Sequence, residues 1–98
     1  MKYAINGLTR FADNPSDFKV MDYNPNEKKM ILDYMKSFEM VGTCGYIDDC
    51  KTGKVIKITN SFYDDGEYTW SKQDIYHIEK YNAAVETDFI DSIKKKTA

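Results

Sequence analysis

The sequence predicts an α+β fold: an N-terminal helix, an antiparallel β-meander of three to four strands, and two short C-terminal helices on one face of the sheet. Three observations lead to this prediction. Apolar residues recur at helical spacing after Asn24, apolar and polar residues alternate from Val55 to Thr59, and a second helical pattern follows Ser71. We expect all 98 residues (1–98) to form one small domain, because a chain of this length builds a single modest core.

The first predicted helix has clear start and stop signals. Asn24 can cap it, Pro25 suits the first helical position, and Glu27 stands three residues after the cap. Apolar side chains then follow the 3-and-4 spacing of one helix face. We expect a helix from Pro25 to about Met40, with Gly42 as the stop signal. The apolar face comprises Met30, Ile31, Tyr34, Met35, Phe38 and Val41.

The predicted strands are separated by two turn signals. Thr43 to Cys50 reads as one strand, Thr52-Gly53 as a turn, and Val55 to Thr59 as the strongest strand, which continues into Phe62-Tyr63. Asp65-Gly66 predicts a second hairpin, with its tip at residues 64–67, because glycine takes positive φ without steric cost.

The last two helices follow from capping residues. Ser71 is a predicted N-cap, and Asp74 stands three residues later, where negative charge suits the helix dipole. The usual Glu or Gln of a capping box is absent, so we expect a partial version. Asn82 is a predicted left-handed stop, and Thr87 can cap the final helix.

The start of the chain carries weaker signals. Tyr3 and Ile5 alternate and predict a short edge strand, and residues 13–17 (DNPSD) have turn chemistry. No apolar segment of the secretory type opens the sequence, and the apolar runs are too short to span a membrane, so we expect a cytoplasmic protein without a membrane partner.

The charge pattern argues against direct nucleic-acid binding. The formal net charge is −2, with acidic and basic residues both abundant, whereas a nucleic-acid binder carries clustered Lys and Arg. The basic end at residues 94–96 is typical of a helix C-terminus, where cations interact favourably with the dipole.

Metal and cofactor sites are not indicated. Cys44 and Cys50 with the single His77 cannot complete a four-ligand zinc site. Residues 22–26 (DYNPN) resemble the start of a calcium loop, but Glu27 replaces the required Gly and Asp33 replaces the bidentate Glu. We therefore expect no metal and no cofactor.

The two predicted hairpin turns concentrate acidic residues beside aromatic ones. Tyr side chains dominate interface hot spots, and carboxylates steer basic partners. For Trp70 we favour a place in the core over a place in an interface. The predicted partner-binding residues are Asp48, Asp49, Tyr63, Asp64, Asp65, Glu67 and Tyr68.

The second half of the chain resembles small immunity proteins of bacterial polymorphic-toxin and contact-dependent growth inhibition systems. The resemblance covers roughly residues 52–93 and rests on an ordered set of segments. They are TG at residues 52–53, DDGEYTW at 64–70, DIYHIEKYN at 74–82 and FIDSI at 89–93.

This resemblance implies a cytoplasmic inhibitor that binds one cognate toxin, commonly a nuclease, and blocks its active site or its access to substrate. A nuclease must be basic to hold phosphates, so a locally acidic surface would suit it.

Two other hypotheses remain open. One is a small phage or host-interaction adaptor without catalytic activity. The other is a small enzyme that uses His77 with Asp74 or a tyrosine. We expect no enzyme activity, because no activated nucleophile stands out.

Overall fold

The computed structural model describes residues 1–5 and 18–97. In these residues an α+β architecture combines three helices with one four-stranded mixed sheet, whose strand order is β1-β4-β3-β2. The predicted turn at residues 13–17 lies outside the described part of the chain. The elements are β1 (Lys2–Tyr3), α1 (Pro25–Lys36), β2 (Gly42–Asp48), β3 (Val55–Asp64), β4 (Tyr68–Ser71), α2 (Lys72–Tyr81) and α3 (Thr87–Thr97).

The predicted arrangement is wrong in two respects. First, β1 precedes α1, so the helix is not the N-terminal element. Second, the sheet is mixed and is not an antiparallel meander, because β1 runs parallel to β4, with Lys2 opposite Tyr68 and Tyr3 opposite Thr69. The physical reason is the burial of Ala4 directly after β1, which brings the start of the chain to the β4 edge.

Helix α1 begins where the capping signals predict. The side chain of Asn24 accepts a backbone N–H of the first turn at 2.9 Å, and Pro25 is the first helical residue. The helix ends at Lys36, before the predicted Met40, because the N–H of Ser37 bonds back to a carbonyl one turn earlier as the C-cap. The predicted start of α1 is therefore confirmed, whereas its predicted end lies about one turn too far along the chain.

Helix α2 begins with a complete capping box, so the expectation of a partial one is wrong. The carboxylate of Asp74 accepts the backbone N–H of Ser71 at 2.9 Å, and the hydroxyl of Ser71 accepts the N–H of Asp74 at 3.3 Å. The shorter Asp side chain reaches as far as the usual Glu does. At the other end, Asn82 has the left-handed φ of 56° that the sequence predicts.

Strand β3 joins the two sequence segments that were predicted to lie in line. It runs unbroken for 10 residues and pairs antiparallel with β2 on one side and β4 on the other. The β2–β3 and β3–β4 turns therefore lie at opposite ends of this one strand. The pairing of β2 with β3 is irregular near Gly45, which has a positive φ of 66°.

One hydrophobic core joins β4 to all three helices. Trp70 is its largest buried side chain, as we expected, and its indole N–H donates to the carbonyl of Met35 in α1 at 3.1 Å. The ring of Phe89 from α3 lies 5.5 Å from that of Trp70. Aromatic pairs at this spacing add to the stabilisation from buried area. Other core residues from the helices are Ile31, Ile75, Ile78, Ile90 and Ile93.

The β2–β3 hairpin keeps a large share of its apolar surface exposed. Tyr46 is 57% exposed, Val55 58% and Ile58 49%. None of these three belongs to the core that unites β4 with the helices. This part of the sheet is therefore available to a partner that buries apolar surface.

Candidate partner-binding surface

The acidic residues predicted to bind a partner lie at the two ends of β3. Asp48 and Asp49 are at the β2–β3 turn, while Asp64, Asp65 and Glu67 are at the β3–β4 turn. A strand of 10 residues spans about 30 Å. The structure therefore does not bring the two sets together, and each end of the sheet must be considered alone.

Asp49 is a buried anchor between the β2–β3 turn and α2. Its side chain is 1% exposed. One carboxylate oxygen accepts two backbone N–H groups of its own turn, at 2.9 and 3.1 Å. The hydroxyls of Tyr76 and Tyr81 donate to Oδ2 at 2.7 and 2.8 Å, and the Lys80 ammonium lies 3.3 Å from the same oxygen. Every face of this carboxylate is occupied by the protein itself.

The electrostatics of Asp49 follow from these contacts. Burial alone would raise the pKa of Asp49, but the hydrogen bonds from Tyr76, Tyr81 and the turn amides outweigh it and hold the pKa well below its usual range. The carboxylate is therefore charged and paired internally, so its place is structural in the folded chain.

Asp65 has the same arrangement at the other end of β3. Its side chain is 2% exposed, and Oδ1 accepts the backbone N–H groups of Glu67 and Tyr68 at 2.9 and 2.7 Å. Oδ2 accepts the hydroxyl of Tyr34 from α1 at 2.7 Å and the ammonium of Lys96 from α3 at 3.1 Å. Burial alone would raise the pKa of Asp65, but the amide and hydroxyl donors outweigh it and lower the pKa to about 2.

Two of the predicted aromatic anchors pack toward the core. Tyr68 is 2% exposed, and its ring lies 5.1 Å from that of Phe89. Tyr63 is partly buried and stacks on Trp70, with ring centres 6.5 Å apart and planes inclined by 18°. An edge of Tyr63 is left for a partner, whereas Tyr68 is covered.

Three of the predicted acids present their side chains to the surface. Asp48 and Glu67 are exposed, and Asp64 is partly exposed while it accepts the N–H of Gly66 at 3.1 Å. Of these, Asp64 and Glu67 flank the tip of the β3–β4 hairpin, and Asp48 lies at the far end of the sheet. The surface acids at the β3–β4 hairpin are thus Asp64 and Glu67.

A shallow groove beside this hairpin adds acids that the sequence did not single out. The groove holds about 360 Å³ and lies between β1, the hairpin and α3. Its carboxylates are Glu67, Asp88 and Asp91, which we call the acidic groove. Asp88 also lines an adjoining depression with Glu86. Lysines 2, 95 and 96 line the acidic groove as well.

The lining of the acidic groove has three carboxylates and three lysines, and the pairing of Lys96 with an acid outside the groove leaves one net negative charge. Lys96 is engaged by the buried Asp65 at 3.1 Å, and Lys2 lies over the ring of Tyr68 at 5.6 Å from its centre. Lys96 is thus neutralised by an acid that is not part of the groove. The three groove carboxylates, by contrast, are on exposed residues.

The signal for this groove is partly visible in the sequence. Asp88 and Asp91 are three residues apart on α3, so they share one helix face. Their approach to Glu67 is not visible, because it depends on the packing of α3 against the hairpin through Phe89 and Tyr68. Only the fold brings the hairpin acid and the helix acids into one groove.

His77, the residue of the enzyme hypothesis, is fully buried and engaged by backbone groups on both ring nitrogens. Nδ1 lies 2.7 Å from the carbonyl of Gln73, and Nε2 accepts the N–H of Cys50 at 3.0 Å. Asp74 is occupied by the capping box of α2. Within residues 1–5 and 18–97, no group of three or more His, Cys, Asp or Glu side chains is placed to hold a metal ion.

Comparison of the chain with protein-family models, with curated proteins and with solved structures found no match. In the described part of the chain, no helix has both the length and the apolar character that crossing a membrane requires.

Proposed function

We propose that this chain is a cytoplasmic immunity protein that binds a basic cognate toxin, a nuclease domain, and blocks its active site or its access to substrate. The observation that carries the proposal is the acidic groove, which Glu67 from the hairpin lines together with Asp88 and Asp91 from α3. The segments that resemble immunity proteins, DDGEYTW and FIDSI, supply one side of this groove each.

The chemistry of such a partner explains why local acidity is useful. A nuclease holds phosphates with Lys and Arg, and a surface of carboxylates can pair with the same side chains. Complementary charge also speeds encounter, and this acceleration falls as ionic strength rises. A chain with a net charge of only −2 needs its acids gathered in one place for this purpose.

The buried polar side chains are hydrogen-bonded within the protein, and this is compatible with a binding role for the surface. In the described part of the chain, no buried side-chain nitrogen or oxygen lacks a hydrogen-bond partner. The buried carboxylates of Asp49 and Asp65 are held by tyrosines, lysines and turn amides. A partner can therefore be recognised by surface groups, which include the partly exposed Tyr63 and Asp64 of the β3–β4 hairpin.

An adaptor that binds a phage or host protein is the alternative. It is favoured by the exposed apolar side chains of Tyr46, Val55 and Ile58 on the β2–β3 hairpin. A partner docked there would be held by apolar contact and would respond little to salt. The two functions therefore differ in which end of the sheet they use and in their salt dependence.

Co-expression with the product of the adjacent gene, which the proposal expects to encode the toxin, tests the proposal. Neutralising the acidic groove with Glu67→Gln, Asp88→Asn and Asp91→Asn should weaken the complex by about tenfold or more and flatten its salt dependence. Asp65 is left unchanged, because its loss would disturb the hairpin itself.

The matched control neutralises three exposed acids elsewhere, at Asp22, Asp33 and Glu39, and so changes the net charge by the same amount. The control should bind as the unaltered chain does. Equal binding by both triple variants would refute the assignment of the groove. Capture of a partner through the exposed apolar side chains of the β2–β3 hairpin, with little dependence on salt, would favour the adaptor.

A further inference from the structure

The β2–β3 turn, residues 49–54, is tied to one face of α2. The carboxylate of Asp49 accepts the hydroxyls of Tyr76 and Tyr81, and the N–H of Cys50 donates to His77. Just before the turn, the N–H of Asp48 donates to the side-chain oxygen of Gln73 at 3.1 Å (residues 73–81 all belong to α2). Backbone bonds within the turn, from the N–H of Asp49 to Lys54 and from that of Gly53 to Asp49, close it on itself, and the bonds to α2 hold it against the helix.

The imidazole of His77 can have only one protonation state in this arrangement. The carbonyl of Gln73 can only accept, so Nδ1 must carry a proton. The N–H of Cys50 can only donate, so Nε2 must be bare. The ring is therefore neutral, and a second proton at Nε2 would face an N–H donor across 3.0 Å.

We propose that His77 is an acid-sensitive latch, whose protonation at Nε2 breaks the bond from Cys50 and releases the β2–β3 turn from α2. The step moves one proton from solvent to Nε2 and breaks no covalent bond. The latch operates at the end of the sheet opposite to the acidic groove, so it does not rest on the proposed function.

The surroundings of His77 hold one negative charge, that of Asp49, and set a positive charge and an N–H donor against an imidazolium. From the turn, the charge of Asp49 acts on His77, but its oxygens already accept hydrogen bonds from Tyr76, Tyr81 and the turn amides. From α2, Lys80 opposes a second positive charge. The ring of Phe18 packs edge-on at 5.4 Å, and the ammonium of Lys51 lies over that same phenyl ring at 4.8 Å. A proton added at Nε2 would thus face the N–H of Cys50 and would have no hydrogen-bond acceptor there.

Burial also disfavours protonation of His77. It lowers the pKa of His77, while the bond to Gln73 and the charge of Asp49 act in the opposite sense and Lys80 reinforces burial. Once the turn opens, the imidazole regains an ordinary pKa of about 6.5. Acid therefore favours the open state below about pH 6, and the opening equilibrium rises by up to about tenfold per pH unit.

A second titrating group near the latch works in the opposite direction. Asp74, in the first turn of α2, has a pKa raised to about 7 by burial, so its protonation favours the closed protein as pH falls. The experiment must separate the two groups. Asp49 does not interfere, because its lowered pKa keeps it charged throughout this range.

Amide hydrogen exchange of the whole chain between pH 7.5 and 5 measures the latch directly. After correction for intrinsic exchange, protection of the amides of residues 50–53 should fall by up to about tenfold per pH unit below about pH 6. Amides of α3 should show no such change. The variant His77→Gln keeps a donor group and an acceptor group on one side chain but does not titrate, and it should remove the pH dependence of the turn.

The matched control is Tyr76→Phe, which removes one bond to Asp49 without altering any group that titrates in this range. It should raise the opening of the turn by a similar factor at every pH and keep the slope. Should His77→Gln fail to fold, the imidazole nitrogen chemical shifts of the unaltered protein report the protonation of His77 at each pH, for comparison with the protection of the turn. A turn that stays equally protected while His77 becomes doubly protonated would overturn the latch, as would an unchanged slope in His77→Gln.

Discussion

Tyr34 donates its hydroxyl to the carboxylate of Asp65 over 2.7 Å, and this bond ties α1 to the tip region of the β3–β4 hairpin. Tyr81 makes the corresponding bond to Asp49 over 2.8 Å and ties α2 to the other hairpin. At each end of β3 a buried aspartate thus holds its own turn with one oxygen and a helix with the other. Charge-assisted bonds of this kind are stronger than bonds between neutral groups.

Replacing Asp65 by Asn should therefore destabilise the fold. The amide can still accept the two backbone N–H groups, but its NH2 group then faces the ammonium of Lys96. We expect a loss of about 1–3 kcal/mol in the free energy of unfolding, measured by urea denaturation. The matched variant Glu67→Gln, two residues away and exposed, should change stability by less than about 0.5 kcal/mol. Equal effects of the two changes would contradict the structural role of Asp65.

The same carboxylate should make stability depend on acid. The pKa of Asp65 is lowered from 3.8 to about 2 in the folded protein, so its contribution is complete above pH 4 and is lost as pH falls toward 2. The pH profile of Asp65→Asn should be flatter than that of the unaltered chain over this range. Thermal unfolding at half-unit pH steps measures the difference, and parallel profiles would rule out this source of acid sensitivity.

Asp74 should act in the opposite sense. Burial raises its pKa to about 7, so the folded state binds a proton that the unfolded state has released, and stability falls as pH rises from about 4 to 7. Asp74→Asn removes this dependence. The loss in the free energy of unfolding caused by Asp74→Asn should consequently be smaller at pH 8 than at pH 5, as measured by urea denaturation. Ser71→Ala, which deletes the other half of the capping box, should cost about 1 kcal/mol at pH 5 and more at pH 8, because the Ser71 hydroxyl also lowers the pKa of Asp74.

The sequence predicted those features that neighbouring residues determine. Asn24 and Ser71 cap helices, and Asn82 ends one, because capping needs only a side chain and the backbone within one turn. The parallel pairing of β1 was not predictable in this way. The alternation of Tyr3 and Ile5 predicted a short edge strand, and β1 is one, but its direction is set by contacts with a strand more than sixty residues later.

The candidate site shows the same division. A pair of adjacent aspartates lies where each turn begins, Asp48-Asp49 and Asp64-Asp65, and the sequence offered no reason to separate the members of a pair. In both pairs the second aspartate points inward to a tyrosine hydroxyl. That tyrosine lies about thirty residues away in each case, so the distinction between structural and surface acids depends on tertiary packing.

The irregular pairing of β2 leads to a final prediction about two glycines in one strand. Gly45 has a φ of 66°, which a side chain rarely adopts, whereas Gly42 lies outside this region; an added Cβ would meet nothing within 4 Å at either position. An added methyl group therefore has room at both glycines, and the two positions differ in their backbone conformation. Gly45→Ala should cost about 1 kcal/mol or more in urea denaturation, and Gly42→Ala should be nearly neutral. A neutral Gly45→Ala would mean that the strand can straighten and pair without its irregularity, and the exposed hairpin would then be less constrained than the structure indicates.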